Sequence, residues 1–146
     1  ALSAAVLSQA MRSREIHRTY QAFALGETAA SGTIDAPIAR LNGSLIQRTV
    51  DFASGERSVT HYRTLAHCSV FSHLELNLET GRTHQIRVHM AYIGHPLLGD
   101  TLYNKTPGTF PRQALHSASL SFVHPITGEP LNFHAPLPED MQNLLT

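Results

Sequence analysis

The residues best suited to chemistry lie in one run, LETGRTHQIRVHMAYIGHPLLGD, which covers residues 78–100. Two arginines, three histidines and three glycines occur within it. Histidine side chains bind metals or transfer protons near neutral pH, and arginine side chains bind carboxylates and phosphates. The run therefore raises two hypotheses, a histidine metal site and a site for an anion.

The spacing of the histidines argues against a metal site. Two ligands on one helix face lie three or four residues apart, and two ligands on one strand face lie two apart. His84 and His89 are separated by five positions, which is about 140° around a helix. No pair among the 10 histidines has a ligand spacing, and Cys68 is the only cysteine. We therefore expect no metal, and we expect ordinary hydrogen bonds for these histidines.

An anion at the start of a helix agrees better with the same run. A helix is predicted over 83–94, with Thr83 as its N-cap. The free N–H groups at a helix N-terminus attract anions, and Arg82 lies just outside that end, where it can meet a phosphate. Arg87 lies one turn inside, beside the apolar face, where a half-buried guanidinium needs a carboxylate or phosphate partner. From spacing alone, a structural Arg–Asp pair is the favoured interpretation of Arg87.

Other catalytic patterns are missing from the sequence. The chain has no G-x-S-x-G nucleophile motif, no cysteine–histidine protease motif and no G-x-x-x-x-G-K phosphate loop. Cys68 is interpreted as a small strand residue and not as a catalytic thiol. The chemistry must therefore be sought around the two arginines.

The elements that position these residues indicate an α+β fold, with a mixed, mostly antiparallel sheet flanked by a few helices. Period-two alternation and turn residues predict strands over 17–26, 59–68, 69–80, 114–125 and 131–136, with short strands and an exposed loop within 32–58. Helices are predicted over 2–13, 83–94 and 137–145. Gly94 is expected to end the second helix, and Pro138 is expected near position N1 of the third.

Composition limits the classes of protein to consider. The 146 residues suffice for one core-forming domain, and 42% hydrophobic with 15% charged residues is a globular composition. A net charge of +0 argues against a polybasic binder, although local clusters of positive charge can still bind nucleic acid. No apolar run is long enough to span a membrane, the first residues lack the basic segment of a signal peptide, and a single cysteine agrees with a reducing compartment.

The run 78–104, LETGRTHQIRVHMAYIGHPLLGDTLYN, resembles the third conserved motif of the RluA-type family of RNA pseudouridine synthases. The resemblance extends over essentially the whole chain. SREIHRTYQAFALG is similar to the tyrosine-bearing strand of that family, and TIDAPIAR is similar to its I-x-x-P-I segment. SVTHYRTL resembles the strand before the third motif, and residues 112–141 resemble the C-terminal strand pair and helix.

The resemblance implies a set of residue roles. The family isomerises uridine to pseudouridine within RNA without a cofactor, and the target base is flipped into a pocket. An aspartate acts as nucleophile, and the arginine that pairs with it matches Arg87. The tyrosine that stacks on the flipped base, a candidate for removing the proton at C5, matches Tyr20. Leu115 matches the aliphatic wall of the pocket, while Arg82 and His84 would flank the pocket and contact the RNA backbone.

The nucleophile motif of the family, H-R-L-D, does not occur in this sequence. The chain has four aspartates, none in such a context, namely Asp35, Asp51, Asp100 and Asp140. Asp100 is expected to be a turn or structural acid. Because the chain also begins within a predicted helix, residues 1–146 are expected to be the truncated C-terminal portion of one catalytic domain, inactive without the aspartate.

The function expected of the parent protein is uridine isomerisation in ribosomal or transfer RNA, in the cytoplasm, with RNA as the partner and no membrane or metal. The alternative is a non-catalytic RNA-binding protein of the same fold that has lost its nucleophile. A purely structural domain is the third hypothesis. The reading frame upstream of Ala1 separates the first from the others, because an H-R-L-D motif there would complete the site.

Overall fold

A computed structural model describes residues 16–124 and 126–145. The helix predicted over 2–13 lies outside the described residues. The strands are β1 Ile16–Leu25, β2 Ser31–Asp35, β3 Ile38–Arg40, β4 Arg48–Val50, β5 Val59–His67, β6 Phe71–Leu78, β7 Leu115–Val123 and β8 Pro130–His134. The helices are α1 Gln85–Tyr92 and α2 Glu139–Gln142, which a 3-10 turn, Asn143–Leu145, follows.

Six strands form one sheet in the order β2-β5-β6-β1-β7-β8, and β3 pairs with β4 in a separate hairpin. All of these pairings are antiparallel in the described part of the chain. The expected α+β class with a mostly antiparallel sheet is confirmed. No helix of the described residues is long and apolar enough to cross a bilayer.

The two central strands, β1 and β6, are buried on both faces of the sheet. Ala22 pairs with Leu74, and the next residue along, Phe23, pairs with His73. Because successive side chains point to opposite faces, Leu74 packs in one core cluster with Ile86 of α1, while Phe23 packs in another with Ala114 and Met141. The sheet therefore has a core on each side, and α1 covers the first of them.

The start of α1 differs from the prediction. The N-cap is His84 and not Thr83, and no side-chain hydrogen bond caps this end. His84 has the left-handed backbone conformation (φ 58°), which is uncommon outside glycine. In place of a cap, the buried amide of Gln85 accepts hydrogen bonds from the Arg82 N–H and the Thr80 hydroxyl, and it donates to the Val59 carbonyl. Gln85 thus ties the first turn of α1 to β5.

The end of α1 follows the prediction. Gly94 has φ 88°, its N–H donates to the Ala91 carbonyl, and the His95 N–H donates to the Met90 carbonyl. These two bonds form a Schellman motif, in which glycine accepts the left-handed conformation at little steric cost.

The loop after α1 runs beside β1 before it reaches β7. Leu97 is fully buried, and the Leu98 N–H donates to the Phe23 carbonyl. Gly99 has φ 72° and lies so close to the chain at Arg112 that a Cβ atom would be 1.8 Å from the Arg112 carbonyl oxygen. This close approach fixes the position of Asp100, the next residue.

The remaining boundaries contain small corrections. The last predicted helix, 137–145, is shorter than expected, since α2 covers Glu139–Gln142 and Pro138 is its N-cap, not N1. A proline at the first turn loses no helical hydrogen bond in either position. Cys68 is exposed in the turn after β5, where its N–H donates to the Phe71 carbonyl, so it is not a strand residue.

Gly99→Ala should destabilise the chain more than Gly94→Ala. Both glycines have a positive φ, which costs an alanine roughly 1–2 kcal/mol. At Gly94 the space for a Cβ atom is open, whereas at Gly99 the backbone at Arg112 must also move, which adds about 1–3 kcal/mol. Urea unfolding of the two variants measures the difference, and equal midpoints would contradict the close approach at Gly99.

Candidate functional site

A bidentate ion pair joins α1 to the loop that follows it. Arg87 Nε donates to Asp100 Oδ2 at 2.9 Å, and Arg87 Nη2 donates to Asp100 Oδ1 at 3.0 Å. The Arg87 side chain is 14% exposed and that of Asp100 is fully buried. The structural Arg–Asp pair that spacing favours is therefore present, and Asp100 is the structural acid expected from its position.

The turn after Asp100 supports the same carboxylate. The backbone N–H groups of Leu102 and Tyr103 both donate to Oδ1. Burial by itself raises the pKa of the Asp100 carboxyl, but the hydrogen bonds and charge of Arg87 and the two N–H groups outweigh it and hold that pKa below its usual value. The carboxylate is thus ionised at neutral pH and compensates the charge of Arg87.

Tyr103 extends the site to three more groups. The guanidinium carbon of Arg87 lies 5.1 Å from the centroid of the Tyr103 ring. The Tyr103 hydroxyl accepts a hydrogen bond from the Arg48 N–H at 2.9 Å and lies 2.7 Å from His84 Nδ1. Burial raises the pKa of the Tyr103 hydroxyl, so the hydroxyl stays protonated in its hydrogen bond with His84. Arg87, Asp100, Tyr103, His84 and the Arg48 backbone therefore form one connected cluster, which we call the Arg87 cluster.

His84 is neutral within this cluster. Burial, followed by the positive charges of Arg87 and Arg48, lowers the pKa of His84. A neutral imidazole has one donor and one acceptor nitrogen, so the ring nitrogen that faces away from Tyr103 is the one left for a further partner. The other two histidines of the run make ordinary hydrogen bonds, as expected. The buried His89 lies between the Thr60 hydroxyl and the Ala36 carbonyl, and His95 bonds to the Leu25 carbonyl.

Arg82 lies apart from the Arg87 cluster, on the surface before α1. Its Nη1 lies 2.9 Å from Glu56 Oε2, and its Nε donates to the Arg57 carbonyl. It also lines a groove of about 450 Å³ together with Arg40 and Arg48. In the described part of the chain, no group of three or more histidine, cysteine, aspartate or glutamate side chains is placed to hold a metal ion.

Tyr20 and Leu115 share one face of the sheet. Tyr20 on β1 lies opposite Ser117 on β7, and Leu115 lies opposite Ala22, two positions along the same face. Both side chains are half-buried against the core cluster that contains Ile86 of α1. The structure brings these two together beside α1, and among the described residues neither is hydrogen-bonded to the Arg87 cluster.

Three members of the cluster were not predicted as site residues. Asp100 was expected to be structural, but not as the partner of Arg87. Tyr103 follows it in the run LGDTLYN, and its spacing of three from Asp100 is a turn pattern that indicates proximity. Arg48 contributes only its backbone N–H to Tyr103, which any residue except proline supplies, so residue type gives no indication of it.

Asp100→Asn should destabilise the chain by about 3–5 kcal/mol, because it leaves the Arg87 charge buried without a counter-charge. Glu75→Gln is the matched control, since it removes a carboxylate from an exposed pair with Arg63 and should cost under about 1 kcal/mol. Urea unfolding at pH 7 measures both. Equal losses would contradict a structural role for the buried pair.

The lowered pKa of Asp100 also predicts how the stability loss of Asp100→Asn depends on pH. Because the pKa of Asp100 is lowered in the folded chain, its stabilisation is complete above the unfolded value of about 3.9 and is lost as the pH falls through the folded value. The stability difference between wild type and Asp100→Asn should therefore be constant from about pH 5 to 8 and shrink below about pH 4. A difference that grew on acidification would exclude the ionised carboxylate.

Known proteins resemble this chain in sequence and in structure. The family model described as RNA pseudouridylate synthase matches residues 2–92. An uncharacterized RNA pseudouridine synthase of Bacillus subtilis, YjbO, is 50% identical over 96% of this chain and 50% of its own length. Ribosomal large subunit pseudouridine synthase D of Vibrio cholerae is 47% identical over 92% of this chain and 46% of its own length. The protein of the same name from Escherichia coli K12 is 44% identical over 95% of this chain and 47% of its own length.

A solved structure agrees with these relatives. The human RNA pseudouridylate synthase domain containing 1 superposes with a TM-score of 0.78 at 27% identity, over 93% of this chain and 62% of that one. The chain spans about half the length of the curated relatives it matches. The resemblance expected from residues 78–104 is confirmed, and the chain belongs to the RNA pseudouridylate synthase family, among its RluA-type members.

Proposed function

We propose that the protein containing this chain isomerises uridine to pseudouridine in RNA. The observation that carries the proposal is the Arg87 cluster, a preformed guanidinium site within the motif that this family shares. Ribosomal RNA is the favoured substrate, because the relatives named above include ribosomal large subunit synthases, and transfer RNA is the competitor. The proposed compartment is the cytoplasm, where ribosomal and transfer RNA both act.

Arg87 has a free edge with which to bind a second carboxylate. A guanidinium carries five N–H donors, and Asp100 occupies one on Nε and one on Nη2. The edge formed by Nη1 and the second Nη2 hydrogen remains for the nucleophilic aspartate of an H-R-L-D segment. The sequence printed here has no such segment, so this chain on its own should not isomerise uridine.

The Tyr20 side of the site would hold the flipped base. In the reaction, the N1–C1′ bond of uridine breaks, a C5–C1′ bond forms, C5 loses its proton, and N1 gains a proton from solvent. The half-buried Tyr20 ring offers a flat surface for stacking, and Leu115 on the same sheet face walls the base. The Tyr20 side-chain oxygen, after giving its own proton to solvent, is the proposed acceptor of the C5 proton, while His84 and Arg82 are the proposed contacts to the RNA backbone.

Arg87→Ala in the longer protein should lower isomerisation by at least about 100-fold, since a pairing group for charge at the reaction centre is lost. Tritium release from RNA labelled at uridine C5 measures the rate. Arg63→Ala, which removes an exposed arginine of β5, is the control and should retain wild-type turnover. Wild-type release by Arg87→Ala would remove Arg87 from the mechanism.

The substrate and the alternative function are tested in the same assay. Release from labelled large-subunit ribosomal RNA but not from transfer RNA is the expected result, and the reverse would identify a transfer RNA enzyme. Salt-dependent RNA binding without any tritium release would instead favour the non-catalytic RNA-binding protein of the same fold.

Tyr20→Phe separates stacking from proton transfer. The phenylalanine ring keeps the stacking surface but has no hydroxyl, so we expect an unchanged KM and a kcat lower by at least about 100-fold, the lower end of what general base catalysis contributes. Tyr20→Leu should also raise KM, because the flat ring is lost. A Tyr20→Phe variant with wild-type kcat would assign the proton transfer to another group.

A further inference from the structure

Two grooves meet at Arg48, where β4 packs beside α1. The first, which we call the basic groove, is lined by Arg40, Arg48 and Arg82. The second, the aromatic groove, is lined by Phe52 and Tyr92, again with Arg48. Each measures about 450 Å³, which is within the range of small-molecule sites.

The basic groove carries positive charge in a chain whose net charge is +0. Of its three arginines, Arg82 is paired with Glu56. Neither Arg40 nor Arg48 is paired with a carboxylate of the described residues, and the Arg48 side chain donates only to the Ile46 carbonyl. The guanidinium groups of Arg40 and Arg48 are therefore available to an outside anion.

The aromatic groove exposes two rings that packing does not explain. Phe52 is 69% exposed and Tyr92 is 53% exposed. Their ring centroids lie 6.5 Å apart at an interplanar angle of 53°. Exposed rings next to arginines are the features that bind unpaired nucleotides, because every base has a flat face to stack and every nucleotide has a phosphate.

The aromatic groove also adjoins the proposed catalytic residues. Tyr103 lines this groove, and its ring lies against Arg87. A strand bound along the two grooves would thus pass the Arg87 cluster. The basic groove supplies positive charge and the aromatic groove supplies flat rings. Together they complement the phosphates and bases of a single nucleic acid strand better than they complement an apolar protein surface.

We propose that the basic and aromatic grooves bind the unpaired RNA strand next to the target uridine, with a base stacked on Phe52 and Tyr92 and phosphates at Arg40 and Arg48. The inference rests on the proposed function, since it takes RNA as the substrate. It adds four residues that would bind the RNA strand next to the target uridine, namely Arg40, Arg48, Phe52 and Tyr92.

Binding of a fluorescein-labelled single-stranded octauridylate to the chain, followed by anisotropy between 50 and 200 mM salt, tests the proposal. Loss of one stacked base costs about 1–3 kcal/mol, so Phe52→Ala and Tyr92→Ala should each weaken binding by about 5- to 150-fold with the salt slope unchanged. Arg40→Ala and Arg48→Ala should each lower the slope by about 0.7. Phe133→Ala and Arg63→Ala, exposed residues elsewhere on the sheet, are the matched controls.

Two further arms make the result decisive. Phe52→Leu keeps apolar area but not the flat ring, so it should bind as weakly as Phe52→Ala. An octamer with abasic sites should bind wild type as weakly as octauridylate binds Phe52→Ala. Circular dichroism checks that every variant is folded.

The outcomes also separate this inference from the proposed function. Wild-type affinity and slope in all four groove variants would overturn the groove assignment, while tritium release by the longer protein would still decide isomerisation. A chain that sediments as a dimer and becomes monomeric on Phe52→Ala would assign the rings to a second copy, which also overturns the inference.

Discussion

The buried pair of Arg87 and Asp100 is the interaction on which the rest of the site depends. A fully buried carboxylate costs several kcal/mol of desolvation, so it is stable only while two Arg87 donors and two backbone N–H groups all reach it. That requirement fixes the loop after α1 against the helix. The position of Tyr103 is fixed as well, because its N–H donates to Asp100 and its ring packs against the Arg87 guanidinium. The position of His84 follows in turn from the Tyr103 hydroxyl.

The fold could largely be predicted from the sequence, because its elements obey local rules. Alternation along 69–80 predicts β6, and the structure shows Phe71–Leu78 with Leu74 and Leu76 in one core. Gly94 predicts the end of α1, since the left-handed residue of a Schellman motif is usually glycine. The prediction that Thr83 caps the start of α1 was wrong. The backbone N–H of Arg82 donates to the Gln85 side-chain amide there, and the Thr83 hydroxyl does not cap the helix. That arrangement depends on β5, which local sequence does not show.

The site could be predicted only in part, for a related reason. A guanidinium beside an apolar stripe predicts that Arg87 needs an anion, but the partner lies thirteen residues away across a helix end and a loop. The family resemblance pointed to a different carboxylate, outside the printed sequence. Arg48 belongs to the Arg87 cluster only through its backbone N–H. Phe52 contacts Tyr92 because the segment after β4 lies beside α1. These contacts depend on tertiary structure and leave no pattern in the local sequence.

The two interpretations of Arg87, structural and catalytic, are compatible because a guanidinium has more than one binding edge. Asp100 takes the edge formed by Nε and Nη2, which leaves the edge formed by Nη1 and the second Nη2 hydrogen for the second carboxylate proposed above. The pair also has an electrostatic consequence for that anion. A lone arginine would lower the pKa of a neighbouring carboxylate and make it a weaker nucleophile, whereas the negative charge of Asp100 offsets part of this effect. A nucleophile beside Arg87 would therefore be oriented by two hydrogen bonds and still keep more of its basicity than in a simple ion pair.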